Sequence, residues 1–280
     1  MPEKTLWYKL AFGLVVMAGC FPLFYFVTIE TGIAQAASDF EPVVADTGPP
    51  FDRYVENLAF GVGEKLSFDV GYGFINAGHA TMEVVRLIEY ENRPCYQVVT
   101  RAQSNKFFSS FYRVDDRVES IIDAVGLFSW RFEKKLREGS YRSDRQYSFD
   151  QRRHSVVYDG DSIEVPMFVQ DALSVLYYVR SQPLEVGKSV TVEAFVDGRK
   201  VSMEVLVHKR ETISVEAGTF DCLVVEPLTR SVGVFKHEGR LKVWLTDDRL
   251  RLPVLMKSKV LVGSISAELT SFELGEIDEF

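Results

Sequence analysis

Two adjacent acid pairs, Asp115-Asp116 and Asp247-Asp248, are the side chains of this 280-residue chain best suited by type to general acid and base work. Neighbours along a strand point to opposite faces, so neither pair forms a dyad by itself. A glycan hydrolase would need Asp116 to meet Asp248 across the fold, one protonated and one ionised. The competing expectation is structural: Asp247 and Asp248 close a turn, and Asp115 and Asp116 pair with Arg113 and Arg117. The histidines, His79, His154, His208 and His237, show no HxH or HExxH spacing, so a metal site would have to gather its ligands from distant strands. No GxSxG elbow occurs, and Gly71-Tyr-Gly-Phe-Ile-Asn opens a dinucleotide-type glycine pattern without completing it. Cys95 and Cys222 are either a disulfide or two buried thiols, and the absence of CxxC argues against thioredoxin-like redox work. No cofactor is called for.

The aromatic content is the stronger signal. With 21 Phe and 12 Tyr, the chain has enough large apolar side chains to fill a β core or to line a cavity. Phe128, Trp130, Phe132, Leu176, Tyr177 and Trp244 are the candidate lining residues for an acyl chain or another apolar ligand.

Where that binding would take place follows from the first forty residues. Lys4 and Lys9 precede an uncharged run from Leu10 to Ile29, and Ala34-Gln35-Ala36 follows. Positive, apolar and small-residue regions in that order read as a secretory signal, with cleavage after Ala36. The run is also long enough to remain as a membrane anchor held with its lysines inside. A third reading attaches lipid at Cys20, against which the usual leucine three residues earlier is missing. All three put the body in the periplasm, and the inner membrane is touched only through residues 1–36 if they stay attached. A net charge of −8 argues against nucleic acid as a partner and against an electrostatic grip on anionic lipid.

Residues 37–57 carry Pro, Asp and Gly without a period and read as a linker. From residue 58 to 280 a single domain of mainly β structure is expected. Asp159-Gly160 and Asp197-Gly198 each divide two alternating runs, the pattern of a tight hairpin whose turn needs positive φ. In the run from Leu127 to Leu136, Phe128, Trp130, Phe132 and Leu136 share one parity, and Lys134 interrupts it, predicting that the strand leaves the core there. Trp244 to Pro253 reads as a strand, an acidic turn and a return strand opened by proline. One stretch breaks the β period: Ala172, Val175, Leu176 and Val179 fall at helical spacing, Asp171 can cap them and Pro183 ends the run. The expected architecture is a large antiparallel, strongly curled sheet, half-barrel or barrel-like, with one short amphipathic helix covering its mouth or concave face; a sandwich is the alternative.

Several stretches together resemble the domain designated DUF3108, found in exported proteins of Gram-negative bacteria. They are Gly63-Glu-Lys-Leu-Ser-Phe-Asp-Val-Gly-Tyr-Gly, Ala77-Gly-His-Ala-Thr-Met-Glu-Val, Phe111-Tyr-Arg-Val-Asp-Asp-Arg-Val and Asp171-Ala-Leu-Ser-Val-Leu-Tyr-Tyr-Val-Arg, followed by Ala217-Gly-Thr-Phe-Asp-Cys, the Val243 to Val254 segment and Val262-Gly-Ser. The resemblance covers residues 60–275. It implies an exported, mainly β domain, similar to the half-barrels of lipoprotein carriers, and it transfers no catalytic residue. The functional expectation is a non-enzymatic periplasmic protein binding a hydrophobic or amphipathic ligand, a lipid or lipoprotein acyl chain, as envelope carrier or assembly accessory. The alternatives are a protein-binding scaffold for an envelope partner and the hydrolase built on Asp116 and Asp248.

Overall fold

The computed structural model describes residues 53–229, 241–259, 263–278 and 280. The leader, residues 37–52 of the expected linker and His237 lie outside the described residues. Fourteen strands form one sheet: β1 (Lys65–Tyr72), β2 (Ile75–Tyr90), β3 (Arg93–Ser104), β4 (Asp115–Asp123), β5 (Ser129–Glu138), β6 (Tyr141–Asp150), β7 (Ser155–Tyr158), β8 (Asp161–Glu164), β9 (Ser189–Val196), β10 (Arg199–Val215), β11 (Gly218–Thr229), β12 (Leu241–Thr246), β13 (Pro253–Lys259) and β14 (Ser264–Glu273). Among the described residues two helices accompany them, α1 (Lys106–Ser109) between β3 and β4 and α2 (Ser174–Arg180) between β8 and β9. The four-residue α1 was not expected from the sequence.

Every strand pairs antiparallel with its neighbour, in the order β8-β7-β6-β5-β4-β3-β2-β1-β14-β13-β12-β11-β10-β9. The first and last strands thus lie side by side in the middle, Lys65 opposite Glu273 and Tyr72 opposite Ile265. Two meanders grow outward from that pair, and each ends in a hairpin that the sequence marks. Asp159 and Gly160 take φ of 51° and 88°, and Asp197 and Gly198 take 49° and 76°, the left-handed conformation these two-residue loops require.

The inward face carries one large core, in which Phe68, Tyr96, Phe132, Tyr147, Phe149 and Phe195 are buried among aliphatic residues. The sheet curls until its two edges meet, but they meet through side chains. Tyr147 stacks on Tyr158 at 4.6 Å, and both rings pack edge-on to Phe195 at 5.8 and 6.3 Å. Lys134 forms an ion pair with Asp197 across the same seam. Further along, Gln170 makes the backbone link that the edges lack, pairing in parallel with Ala194, while its side-chain amide donates to the Leu127 carbonyl at 2.7 Å.

The helix differs from expectation in its surroundings. Ser174, Val175, Leu176, Tyr177, Val179 and Arg180 are all buried, so α2 plugs one end of the curled sheet and does not present a solvated face over it. Asp171 caps it as its position predicted. Its carboxylate accepts from the Leu173 and Ser174 amides at 2.7 and 2.8 Å and from the Ser120 and Ser129 hydroxyls on β4 and β5. The last residues of the expected linker pack on this end too: the Val55 amide bonds the Val125 carbonyl, and Arg53 lies 4.9 Å over the rings of Phe168 and Tyr178.

Candidate functional site

Strand polarity gives the curled sheet two unlike ends. The plugged end is closed by α2, and the pin that holds the plug is a fully buried ion pair. Arg180 donates to both Glu64 carboxylate oxygens at 2.7 and 2.6 Å and to the carbonyls of Ala59 and Leu250. The rings of Phe60 and Tyr177 each lie 5.4 Å from the guanidinium. These contacts satisfy the charge completely, which is what makes its burial tolerable. Neither Arg180 nor Glu64 was singled out from the sequence, because nothing local to either residue announces a partner more than a hundred positions away.

The opposite end carries the turns of the β1–β2, β3–β4 and β5–β6 hairpins, and just inside it sits a cluster of ionisable groups. On β4 the inward row is Asp116, Val118, Ser120 and Ile122; on β5 it is Phe132, Lys134, Leu136 and Glu138. Lys134 does not mark an exit from the core. It stays buried because its ammonium reaches Asp197 at the seam. Asp116 and Glu138 lie diagonally across the ladder, near enough for each carboxyl to act on the other. Asp116 also accepts from the Arg137 amide at 2.7 Å. One oxygen of each carboxyl, Asp116 Oδ2 and Glu138 Oε1, has no partner among the described residues. Burial, and then the Asp116 carboxyl beside it, push Glu138 from 4.5 up to about 8, against the pull of Lys134. Burial raises Asp116 as well, opposed first by the Arg137 amide. Two carboxyl groups this close cannot both ionise in a dry site, so the pair holds a proton near neutral pH.

Of the two readings of the acid pairs, the Asp116–Asp248 dyad does not form, and Asp248 takes the turn role that competed with it. Asp116 meets Glu138, whereas Asp248 caps its own turn, accepting from the Thr246 hydroxyl and the Leu250 and Arg251 amides at 2.7 to 3.0 Å. With Asp248 committed to that turn, the two-aspartate hydrolase has no geometric support. Glu138 was missed because it stands alone in sequence; the alternation of β5 from Phe132 through Lys134 and Leu136 was the signal that it points inward.

The candidate lining residues divide between the two faces. Phe132, Leu176 and Tyr177 belong to the inward core. Phe128 and Trp130 sit with Cys95 and Ile121 in a separate cluster on the outer face, beneath Phe168. The reason is a β-bulge: Ile121 faces Arg131 but Ile122 faces Ser129, so Trp130 is the extra residue, and parity counted through it fails. Trp244 also faces outward, clustered with Cys222, Val224 and Val254, and its indole donates to Glu211 at 3.0 Å. Cys95 and Cys222 are both free thiols in these two different clusters, not a disulfide. His79 pairs with Asp69 and His208 with Glu226, and no group of three potential metal ligands converges among the described residues.

The same end displays an apolar surface. Phe74 is fully exposed at the β1–β2 turn, with Ile75 beside it, and Phe107 and Phe111 of the β3–β4 connection are 69% and 55% exposed. The Phe107, Phe108 and Phe111 rings pack together at 5.2 to 5.6 Å. Phe108 and Tyr112 root this group on Ala77 and Val114.

Among solved structures, the fold is similar to a β-barrel-like protein of the domain of unknown function DUF1849 from Brucella abortus, with a TM-score of 0.54 and 12% identity over 78% of this chain and all of that one. Weaker likenesses, with TM-scores of 0.33 and 0.28 at 12% and 13% identity, are to a predicted lipoprotein from Parabacteroides distasonis and a predicted exported protein with YmcC-like fold from Bacteroides fragilis. Each covers 79% of this chain, and the match spans 100% and 99% of those chains respectively. No curated protein matches the sequence. The family model for the protein of unknown function DUF3108 matches residues 67–270, and the chain belongs to that family.

Proposed function

We propose that this is a non-catalytic protein of the bacterial envelope, working on the periplasmic side, that takes an acyl chain or similar amphipathic ligand into its curled sheet. The observation that carries the reading is the seam. Elsewhere each strand is held to the next by a backbone ladder, but the β6–β7 and β9–β10 hairpins touch through Tyr147, Tyr158, Phe195 and the Lys134–Asp197 pair. Side chains can rotate apart without leaving backbone groups unpaired, so the stretch of this contact beyond the Gln170 link parts more readily than a ladder. Behind it lies apolar surface that would repay the opening, at about 25 cal/mol for each Å² a ligand covers. The expected export signal supports this reading, because the periplasm is where lipids and lipoproteins need such handling.

The test is native mass spectrometry of the chain exported to the periplasm and purified without detergent, followed by solvent extraction and lipid analysis. A stoichiometric added mass that extracts as lipid is the expected result. Protein that is apo, and that stays apo after incubation with palmitate and phosphatidylethanolamine, would overturn the reading and leave the scaffold role in its place.

A further inference from the structure

The aromatic tips are not explained by folding. A two-residue turn between β1 and β2 is served by Gly73 and any small polar residue, yet the second position is Phe74, which touches nothing. Phe107 and Phe111 are likewise left in water by a helix that buries none of its residues. The tips are joined into one surface. The Asn105 side chain donates to the Asn76 carbonyl at 2.8 Å, tying the β3–β4 connection to β2. The Gly139 amide donates to the Arg113 carbonyl at 2.7 Å, tying it to the β5–β6 turn, where Tyr141 is also exposed.

The charge of this surface opposes that of the chain. Lys106, Arg113 and Arg142 are exposed around the rings; the acids beside them are Asp115, 3.6 Å from Arg113, and the part-exposed Asp69, which accepts from the Asn76 side chain at 2.6 Å and pairs with His79. Asp144 on β6 is matched by Arg137, and Glu138 faces inward. On a chain of net charge −8, Lys106 and Arg142 thus stand beside the exposed phenylalanines without an acid partner among the ion pairs of the described residues, a local balance more basic than the chain's. Aromatic rings at the level of headgroups, with cations reaching the phosphates beside them, is the chemistry of an interfacial membrane contact. Cations beside exposed rings match the headgroups and interface of an anionic bilayer.

We infer that the β1–β2, β3–β4 and β5–β6 tips seat on an anionic lipid bilayer, Phe74, Phe107 and Phe111 entering the interface and Lys106, Arg113 and Arg142 meeting headgroups. This extends the acyl-chain reading by giving the protein a face with which to approach the membrane that supplies its ligand. The leader does not substitute for it, because the chain enters the fold at the plugged end, where Val55 is bound, and the tips lie at the other.

The experiment uses the full chain with phosphatidylethanolamine–phosphatidylglycerol vesicles containing a phospholipid with a photoactivatable acyl chain, the cross-linked residues being mapped by mass spectrometry. Cross-links at residues 73–75 and 106–113, lost with phosphatidylcholine vesicles or at high salt, are expected. The triple variant Phe74→Ser, Phe107→Ser, Phe111→Ser should lose tip labelling on the order of a hundredfold with its near-UV circular dichroism unchanged. Lys106→Ala and Arg113→Ala should weaken it about fivefold each. Cross-links confined to residues 1–36, or unchanged in the triple variant, would overturn the inference. Labelling of inward residues such as Phe132 without the tips would refute docking while leaving the ligand reading intact, and labelling of the tips alone would do the reverse.

Discussion

The Asp116–Glu138 pair makes protein stability depend on pH in an unusual direction, and replacing Glu138 with Gln should remove most of that dependence. Glu138 is 4% exposed, and its folded-state value of about 8 stands above the 4.5 of an unstructured glutamate. Between those values the folded protein keeps a proton that the unfolded chain releases. The folded state therefore binds more protons, and stability falls as pH rises from about 4.5 to 8, then levels off. At ~1.36 kcal/mol per pH unit the full displacement has a ceiling of about 5 kcal/mol. Local opening that admits water to the pair reduces this, and we expect about half to be observed. For a domain of this size each kcal/mol corresponds to about 2–4 °C in Tm. Glu138→Gln keeps the volume and can hydrogen-bond Asp116, but it has no proton to lose. Thermal unfolding followed by circular dichroism at pH 5 and pH 8.5 should show wild type and variant nearly equal at pH 5. At pH 8.5 the variant should be more stable by about 5–10 °C. A variant whose Tm tracks wild type across the range, or which is the less stable at pH 8.5, would refute the shared-proton account.

Arg180→Met should cost about 3–5 kcal/mol in urea unfolding, because it strands the Glu64 carboxylate in the core; adding Glu64→Gln should restore much of the loss, and a single variant as stable as wild type would sink the pin. Asp171→Asn should lower stability by about 2–3 kcal/mol, since an amide offers one accepting oxygen where four donors converge on two. Burial pushes the Cys95 thiol up to about 12 and the Cys222 thiol up to about 11, so neither should react with an aromatic disulfide reagent at pH 8 until the protein is unfolded; rapid labelling of the native protein would contradict their placement.

Much of the architecture was legible because its signals are local. Asp-Gly between alternating runs gave the β7–β8 and β9–β10 hairpins to the residue, since positive φ at both turn positions is a property of those two residues. Pro253 opens β13 as read, and Asp248 closes the turn before it. Ala172, Val175, Leu176 and Val179 announced a helix, and Asp171 caps it. The face assignments in β5 failed where the bulge at Trp130 shifted the phase, and a bulge is set by how β4 pairs with β5, not by either strand alone. Lys134 read as an exit for the same reason: its partner Asp197 lies across the seam.

The division follows from the range of the forces involved. Turn propensity, alternation and capping act within about ten residues, so the one-dimensional chain determined a curled antiparallel sheet, its marked hairpins and its helix. Which charges meet is a matter of register and closure. Only once fourteen strands had paired around the adjacent β1 and β14 did Glu64 find Arg180, Asp116 find Glu138 in place of Asp248, and Phe74, Phe107 and Phe111 come to stand at one end of the sheet. Desolvation and long-range pairing depend on that three-dimensional neighbourhood, and no spacing along the chain encodes them.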